Sequence, residues 1–470
     1  MTNRWKVTIA PIGLGLVAAC GSSSTATPPT EGDAAASTDG TTSAADDAIA
    51  QDSPGAPSDE AAAHEAGADS AGSAPDTGAL PSGDSGVGDG STGASTGDVV
   101  GKVTVGYQGW FAAVGDGSPA NVWWHYDQNT ANPPSPADNL LKGWPDMTDF
   151  TTTYQSGFAS LGNGMPAMLF SSYTAQTVGA HVQWMQQNGI DTAALQRFND
   201  DTSTRNAVAT NLMNAAQTYD RKFYIMYDIS GWTDFETALP SDWTNVIVGQ
   251  LKLTASPAYA TQNGKPVVSI WGCGFPDRPG TVASCTDVIN FFKSQGLYVI
   301  GGVPLNWRTS GTGSLPDFES VYDLFDMISP WMIGVIANSN DSDSIRTSNN
   351  EPDVAYCLSH NIDYQPCVLP GDLSLRQRVH GDFMWHQFAN MIQVGAQGIY
   401  VSMYDEFGEG NQIVKTAANA SMIPTNSTFL TLDEDGTACS SDYYLRLTGD
   451  GDKMLKGQIA FTFTRPTSPM

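Results

Sequence analysis

Val103-Thr104-Val105-Gly106-Tyr107-Gln108-Gly109-Trp110-Phe111 decides the fold. The first five residues have the composition of a strand, Val103–Tyr107. The turn after it carries an amide and an indole where a nucleotide-binding first turn would carry a glycine-rich phosphate cradle. An open doubly wound sheet is therefore disfavoured. Outward from this strand, apolar runs of strand length are predicted at Ala194–Phe198, Phe223–Ile229, Val267–Trp271, Tyr298–Val303, Met327–Trp331, Tyr364–Leu369 and Gly398–Tyr404. Stretches of helical period lie between them, among them Ala180–Asn188, Ser203–Tyr219, Thr286–Gln295 and Asp382–Val394. Such alternation implies a parallel sheet with crossover helices. Eight strands in roughly 300 residues suit a (β/α)8 TIM barrel, so the class is α/β and residues 99–470 are expected to form a single domain.

Residues 1–20 read as a signal peptide. Arg4 and Lys6 supply positive charge, Val7 to Val17 an apolar core too short to span a bilayer, and Ala18-Ala19 the small residues before Cys20. This ending resembles the lipobox of bacterial lipoproteins, with a chance cysteine at a cleavage site as the competing reading. The resemblance implies lipidation at Cys20, whose dual acylation makes attachment stable. The expected location is outside the cytoplasm, anchored to a bacterial membrane through the N-terminal lipid only, periplasmic or at the cell surface.

From residue 21 to 98 there is no Phe, Trp, Tyr, Lys or Arg. Such a chain cannot bury enough apolar surface to offset its entropy and is expected to be a disordered acidic tether. Its mean reach as a coil is roughly 50 Å. The segment holds fourteen Asp and Glu residues; setting these and the two signal cations aside takes the formal charge from −28 to −16. A domain this acidic is a poor partner for nucleic acid or an anionic bilayer.

Of the six cysteines, five remain once Cys20 is assigned to lipid. In an oxidising compartment the close spacings predict Cys273–Cys285 and Cys357–Cys367 disulfides, leaving Cys439 over. Zinc is the competing reading, but neither pair has C-x-x-C spacing or nearby histidines. No metal and no cofactor are expected.

In a barrel the active site is built just past the C-terminal ends of the strands. Those ends collect Tyr107, Trp110, Arg197, Tyr227, Asp228, Trp271, Trp307, Arg308, Trp331, Tyr404, Asp405 and, beyond the last strand, Gln412; Trp124 and His125 lie in the first long loop. Pyranose rings stack on Trp and Tyr, while carboxylates, guanidinium groups and amides take the hydroxyls. These residues are accordingly expected to bind a glycan. The bland alternative is that each aromatic plugs a barrel end.

Glu406 and Glu409 follow the last predicted strand, separated by Phe407-Gly408. Glycoside cleavage needs one carboxyl group to protonate the departing oxygen and a second to assist attack at the anomeric carbon. The pair fits that division as catalytic residues, with Gly410 freeing the backbone to approach a ligand. His386 sits in a helical run and reads as structural or sugar-binding. Asp433-Glu434-Asp435-Gly436 and Gly449-Asp450-Gly451-Asp452 have a calcium-loop flavour without the full pattern, and read as solvated turns.

Tyr404-Asp405-Glu406-Phe407-Gly408-Glu409-Gly410-Asn411-Gln412-Ile413 resembles the E-x-x-E-G motif of glycoside hydrolase family 71/99-like proteins, which include endo-α-mannosidases and endo-α-mannanases. Further matching stretches run from Gly106-Tyr107 to Ile328-Ser329-Pro330-Trp331, so the resemblance covers nearly the whole barrel. It implies a (β/α)8 fold, with Glu409 matching the general acid and Glu406 the carboxylate that assists the sugar's own 2-hydroxyl. Two departures stand out: Phe407-Gly408 replaces the usual Trp-His, and Tyr107-Gln108-Gly109-Trp110 replaces a Tyr-Pro-Trp-Tyr run. The expected function is retaining hydrolysis of an α-linked, mannan-type or related glycan by a monomer. The alternative is a surface glycan-binding lipoprotein on an inactive barrel.

Overall fold

A computed structural model describes residues 97–199 and 202–470; the signal peptide, Cys20 and nearly all of the tether lie outside the described residues. Contacts with the folded domain begin at once. Asp98 N donates to Thr261 O and Asp98 Oδ2 accepts from Thr261 N (both 2.8 Å), and Val99 is fully buried.

Among the described residues, nine parallel strands and one short antiparallel strand, Thr261–Gln262 beside Lys265–Pro266, make one sheet; the parallel strands are β1 (Val103–Tyr107), β2 (Thr192–Arg197), β3 (Lys222–Asp228), β4 (Lys265–Trp271), β5 (Tyr298–Pro304), β6 (Met327–Trp331), β7 (Asp363–Tyr364), β8 (Cys367–Val368) and β9 (Ile399–Val401). Their lateral order is β7-β6-β5-β4-β3-β2-β1-β9-β8. β7 and β8 are consecutive pieces of the predicted Tyr364–Leu369 strand, split at Gln365-Pro366 because Pro366 has no N–H to donate. Gln365 N donates to Ile328 O of β6 (2.8 Å), while Pro366 O accepts from Tyr400 N of β9 (3.0 Å). One short run of chain thus pairs with both edges, and the sheet curls round on itself in a TIM-barrel-like manner. Helices cover its outside, principally α1 (Ala175–Asn188), α2 (Thr202–Thr218), α3 (Phe235–Asp242), α4 (Val282–Ser294), α5 (Glu351–His360), α6 (Asp382–Gln393) and α7 (Tyr443–Leu455). Local chemistry sets their ends. At α4, Thr281 Oγ1 accepts from Ser284 N and Ser284 Oγ accepts from Thr281 N, a reciprocal cap.

Strand side chains alternate between two buried environments. Met226, Ser269, Trp271, Ser329, Trp331, Gln365 and Tyr400 line a small cavity inside the curl. Their sequence neighbours pack outward against helices. This parity decides which strand-end residues can reach a ligand.

Two expectations are corrected here. Gly449-Asp450-Gly451-Asp452 is not a turn but lies within α7. A side chain on Gly449 would collide with Asn188 O, and one on Gly451 with the Phe388 ring. The glycines therefore serve close helix packing, at a cost in helix propensity. Asp452 Oδ1 meanwhile accepts from Val103 N at 3.2 Å.

Cys273 and Cys285 are bonded, but Cys357 and Cys367 are separate buried thiols, as is Cys439. The reason is again parity. Cys367 faces inward with Gln365, near Tyr224 and Ser329, whereas Cys357 rides on α5 beside Asp353 and Asp363, outside the sheet. Burial raises both thiols and suppresses the thiolates needed for oxidation. Non-reducing peptide mapping is expected to recover the Cys273–Cys285 link alone, with Cys357 and Cys367 alkylated only after unfolding. Loss of that link should cost about 3 kcal/mol; a recovered Cys357–Cys367 peptide would contradict this assignment.

Candidate active site

The loop from Asp405 to Gln412 leaves β9 at the C-terminal end of the sheet and is fixed from below. Arg378, buried, donates to Gly410 O and Gln412 O (both 2.8 Å) and to Gly371 O (3.0 Å). Gly410 has φ +74, and a side chain there would strike Asp372 Oδ1. Its backbone freedom therefore serves packing against the neighbouring loop, where Leu373 N donates to Gly410 O (2.9 Å), instead of an approach to ligand. Lys142 N donates to Phe407 O (2.9 Å), and Phe407 is buried against Phe111 and Phe170.

On this rigid base stand the two glutamates. Glu406 is 4% exposed, and its Oε1 accepts from the backbone N–H of Gly408 (2.8 Å) and Glu409 (3.2 Å). Burial, then the nearby Glu409 charge, pushes its carboxyl up to about 8, against the lowering influence of the Gln108 side chain. Glu409 is exposed, with Oε2 accepting from Asn411 Nδ2 at 3.2 Å. Its carboxyl is raised by the protein packed around it, despite Asn411 and the Lys142 charge, which favour ionisation. Two neighbouring carboxyls that resist ionising together hold one proton near neutrality, the arrangement general acid–base chemistry requires. Burial bears hardest on Glu406 and favours its protonated form.

The shift carries a stability consequence. Glu406 ordinarily titrates at 4.5, so its contribution to stability is full below that value and is lost as pH rises through about 8. Glu406→Gln cannot ionise. Its melting temperature relative to wild type should therefore climb steadily between pH 5 and pH 8 in a thermal-shift series. A difference that stays flat across that range would show that burial does not strain this carboxylate.

Beside the pair lies an aromatic bank. Trp110 stacks on His125 (3.8 Å, 11°), Trp124 lies parallel to the same ring (5.6 Å, 8°), and Phe198 flanks Trp110 at 5.3 Å. Phe111 touches both His125 and Phe407, so the bank abuts the carboxylate loop. The Arg205 guanidinium lies over Trp124 and Phe198. Burial, then the Arg205 charge, keeps the His125 ring neutral. A second group gathers on β3, β4 and β6: Asp228 pairs in register with Trp271, which meets Trp331 at 5.4 Å and carries Arg278 over its ring at 5.1 Å. Burial raises Asp228. The Nε1 atoms of Trp110 and Trp271, Gln108 Oε1 and Asn411 Oδ1 are buried with no hydrogen-bond partner among the described residues, as suits hydroxyl-binding groups.

The other expected glycan contacts are engaged within the protein. Tyr107 Oη meets His181 Nδ1 (3.0 Å), and Tyr404 Oη donates to His181 O (2.8 Å). Arg197 and Tyr227 both bind Asp242. Trp307 and Arg308 both bind Asp353. Gln412 is fully buried and donates to Thr416 Oγ1. Asp405 accepts from the N–H groups of Gln108 (2.8 Å) and Gly109 (2.9 Å), stapling the first loop to the last. His386 pairs with Asp343 at 2.8 Å. Asp433 accepts from Thr431, Glu434 pairs with Arg376 and Asp435 with His380, so that turn is tied into the protein. Gln108, Asn411, Lys142, Phe198, Arg205, Arg278 and Arg378 were not singled out as site residues. Gln108, Asn411 and Phe198 flank quoted site residues and were legible by adjacency; the others come from loops and helices with no motif. Among the described residues no group of His, Cys, Asp or Glu could hold a metal ion.

No family model matches the chain, and no curated protein matches its sequence. Among solved structures, a GH99 endo-alpha-mannosidase from Bacteroides thetaiotaomicron superimposes with a TM-score of 0.55 at 14% identity, covering 76% of this chain and 98% of that one. The same enzyme in complex with BIS-TRIS-propane gives 0.55 at 16% identity, covering 77% and 98%. At such identity the likeness is one of fold: this chain shares the TIM-barrel-like fold of a glycosidase.

Proposed function

We propose that the chain is a glycoside hydrolase whose (β/α)8 domain cleaves an α-linked, mannan-type or related glycan with retention, using Glu406 and Glu409. The observation that carries this reading is the carboxyl pair with raised proton affinity, fixed on the loop after β9 and flanked by the Trp110–His125–Trp124 bank. Glu409 is the general acid and Glu406 the carboxylate that assists attack. Before substrate binds, the proton resides on Glu406; a sugar covering the exposed Glu409 strips its water and raises it further. The proton then passes to Glu409 and leaves Glu406 ionised, able to draw a proton from the sugar's 2-hydroxyl. The backbone N–H groups of Gly408 and Glu409 stabilise that ionised form.

No cofactor takes part in this proposal. The chain works as a monomer, exported and held to a membrane by lipid on Cys20, and does not bind nucleic acid. Purified domain from residue 99 onward, incubated with α-mannans, arabinans and fucose-containing glycans, should release reducing ends from at least one. Full-length protein should incorporate a palmitate analogue that Cys20→Ala does not. The second reading, a glycan-binding protein on an inactive barrel, gains some support from the number of expected contacts that the protein itself occupies. Binding without release of reducing ends would favour it.

A further inference from the structure

The clearest departure from the resembled pattern is Gln108, and the structure gives that residue an unusually complete set of restraints. Its N–H donates to Asp405 Oδ1 at 2.8 Å, its carbonyl accepts from Arg205 Nη1 at 2.8 Å, and its side chain is buried, with the residue 5% exposed. The next residue, Gly109, is held by the other oxygen of Asp405. The backbone is thus locked on both sides of the Cα and tied to Asp405, the residue before Glu406, where the Gln108 side chain favours the ionised form of the Glu406 carboxyl. The amide oxygen Oε1 is buried and has no hydrogen-bond partner among the described residues. A primary amide carries donors and an acceptor on one plane. Leaving that acceptor buried and unpaired costs about 1–3 kcal/mol, a penalty that a ligand hydroxyl would remove.

We propose that Gln108 is the positioning residue for Glu406 and, through Oε1, the acceptor for a hydroxyl of the sugar whose glycosidic bond is cleaved. The donor end fixes the orientation of the carboxylate, and the acceptor end registers the sugar against it. The substrate half of this inference rests on the hydrolase reading; the Glu406 half does not.

The test therefore uses two readouts. Carboxyl titration of Glu406 in the ligand-free domain, by difference infrared spectroscopy with Glu406→Gln as the blank, needs no substrate. Gln108→Met, which keeps the volume and the backbone clamps, should move the Glu406 midpoint upward from about 8, since the group favouring ionisation is gone. Gln108→Glu, which retains polarity should the Met variant fail to fold, should move it further in the same direction. On a cleaved glycan, kcat/KM of the Met variant should fall roughly 10- to 100-fold, with the alkaline limb of its pH profile displaced upward alongside the titration. Gln108→Asn should restore part of the loss. An unmoved Glu406 midpoint in either folded variant overturns the proposal, whatever the activity. A moved midpoint with kcat/KM unchanged overturns the substrate contact. If wild-type protein cleaves no glycan, the hydrolase reading fails while the titration result still decides the positioning role.

Discussion

Glu409→Gln is expected to lose about 10²–10⁴-fold in kcat on a glycan with a poor leaving group, while retaining most of its rate on an aryl glycoside that departs without protonation. Glu406→Gln should be slow on both, because assistance at the anomeric carbon is needed whatever leaves. The split follows from position. Glu409 is the exposed member, open to an oxygen of the substrate, whereas Glu406 is 4% exposed and reaches the site from beneath, held by its own loop's amides. Steady-state kinetics on the two substrate types decide it. Near wild-type turnover of both variants would remove the pair from the mechanism and leave Asp228, with its raised carboxyl beside Trp271, as the next candidate. Asp405 is not a candidate, since both its oxygens are spent on the Gln108 and Gly109 amides.

Sequence was a good guide to the sheet because every predicted strand is buried on both faces, and a parallel strand so buried reads as an apolar run. β1 and β6 match their predicted limits residue for residue. The Gln365-Pro366 break within the seventh stretch was visible in the residues but not as an interruption, since a proline at the seam of a curled sheet costs only a bond that the neighbouring strands can do without. The site was legible to a lesser degree. Proximity to a strand end was read correctly, but direction was not, because one residue along a strand turns a side chain from the interior to the helices. Asp228, Trp271 and Trp331 share the inward parity of Met226, Ser269 and Ser329. Tyr107, Arg197 and Tyr227 have the opposite parity and are consumed by His181 and Asp242, both on helices distant in sequence. No local pattern names such partners.

Asp242→Ala is expected to destabilise the domain by about 3–5 kcal/mol, the usual cost of removing one partner of a buried ion pair. Asp242 Oδ1 and Oδ2 take Arg197 Nη2 and Nε at 2.5 and 2.6 Å, and Oδ2 also accepts from Tyr227 Oη at 2.7 Å. The Arg197 and Asp242 side chains are only 3% and 9% exposed. Deleting the carboxylate takes away the guanidinium's Nε and Nη2 bonds to Asp242, while the Nη2 bond to Asn206 Oδ1 remains. It also leaves the Tyr227 hydroxyl, already raised by burial, without an acceptor. Because guanidinium cannot shed its proton to relieve the cost, the penalty should persist across the accessible pH range, unlike that at Glu406. A double-mutant cycle makes the argument specific. Arg197→Met with Asp242→Leu, which replaces both charges by apolar groups, should recover much of the stability lost in the single Asp242→Ala variant. It should also leave kcat on a cleaved glycan within a few-fold of wild type, since neither residue faces the cleft. A stable double variant with glycan affinity abolished would return Arg197 to the binding site; chemical denaturation and binding measured on the same preparations separate the two outcomes.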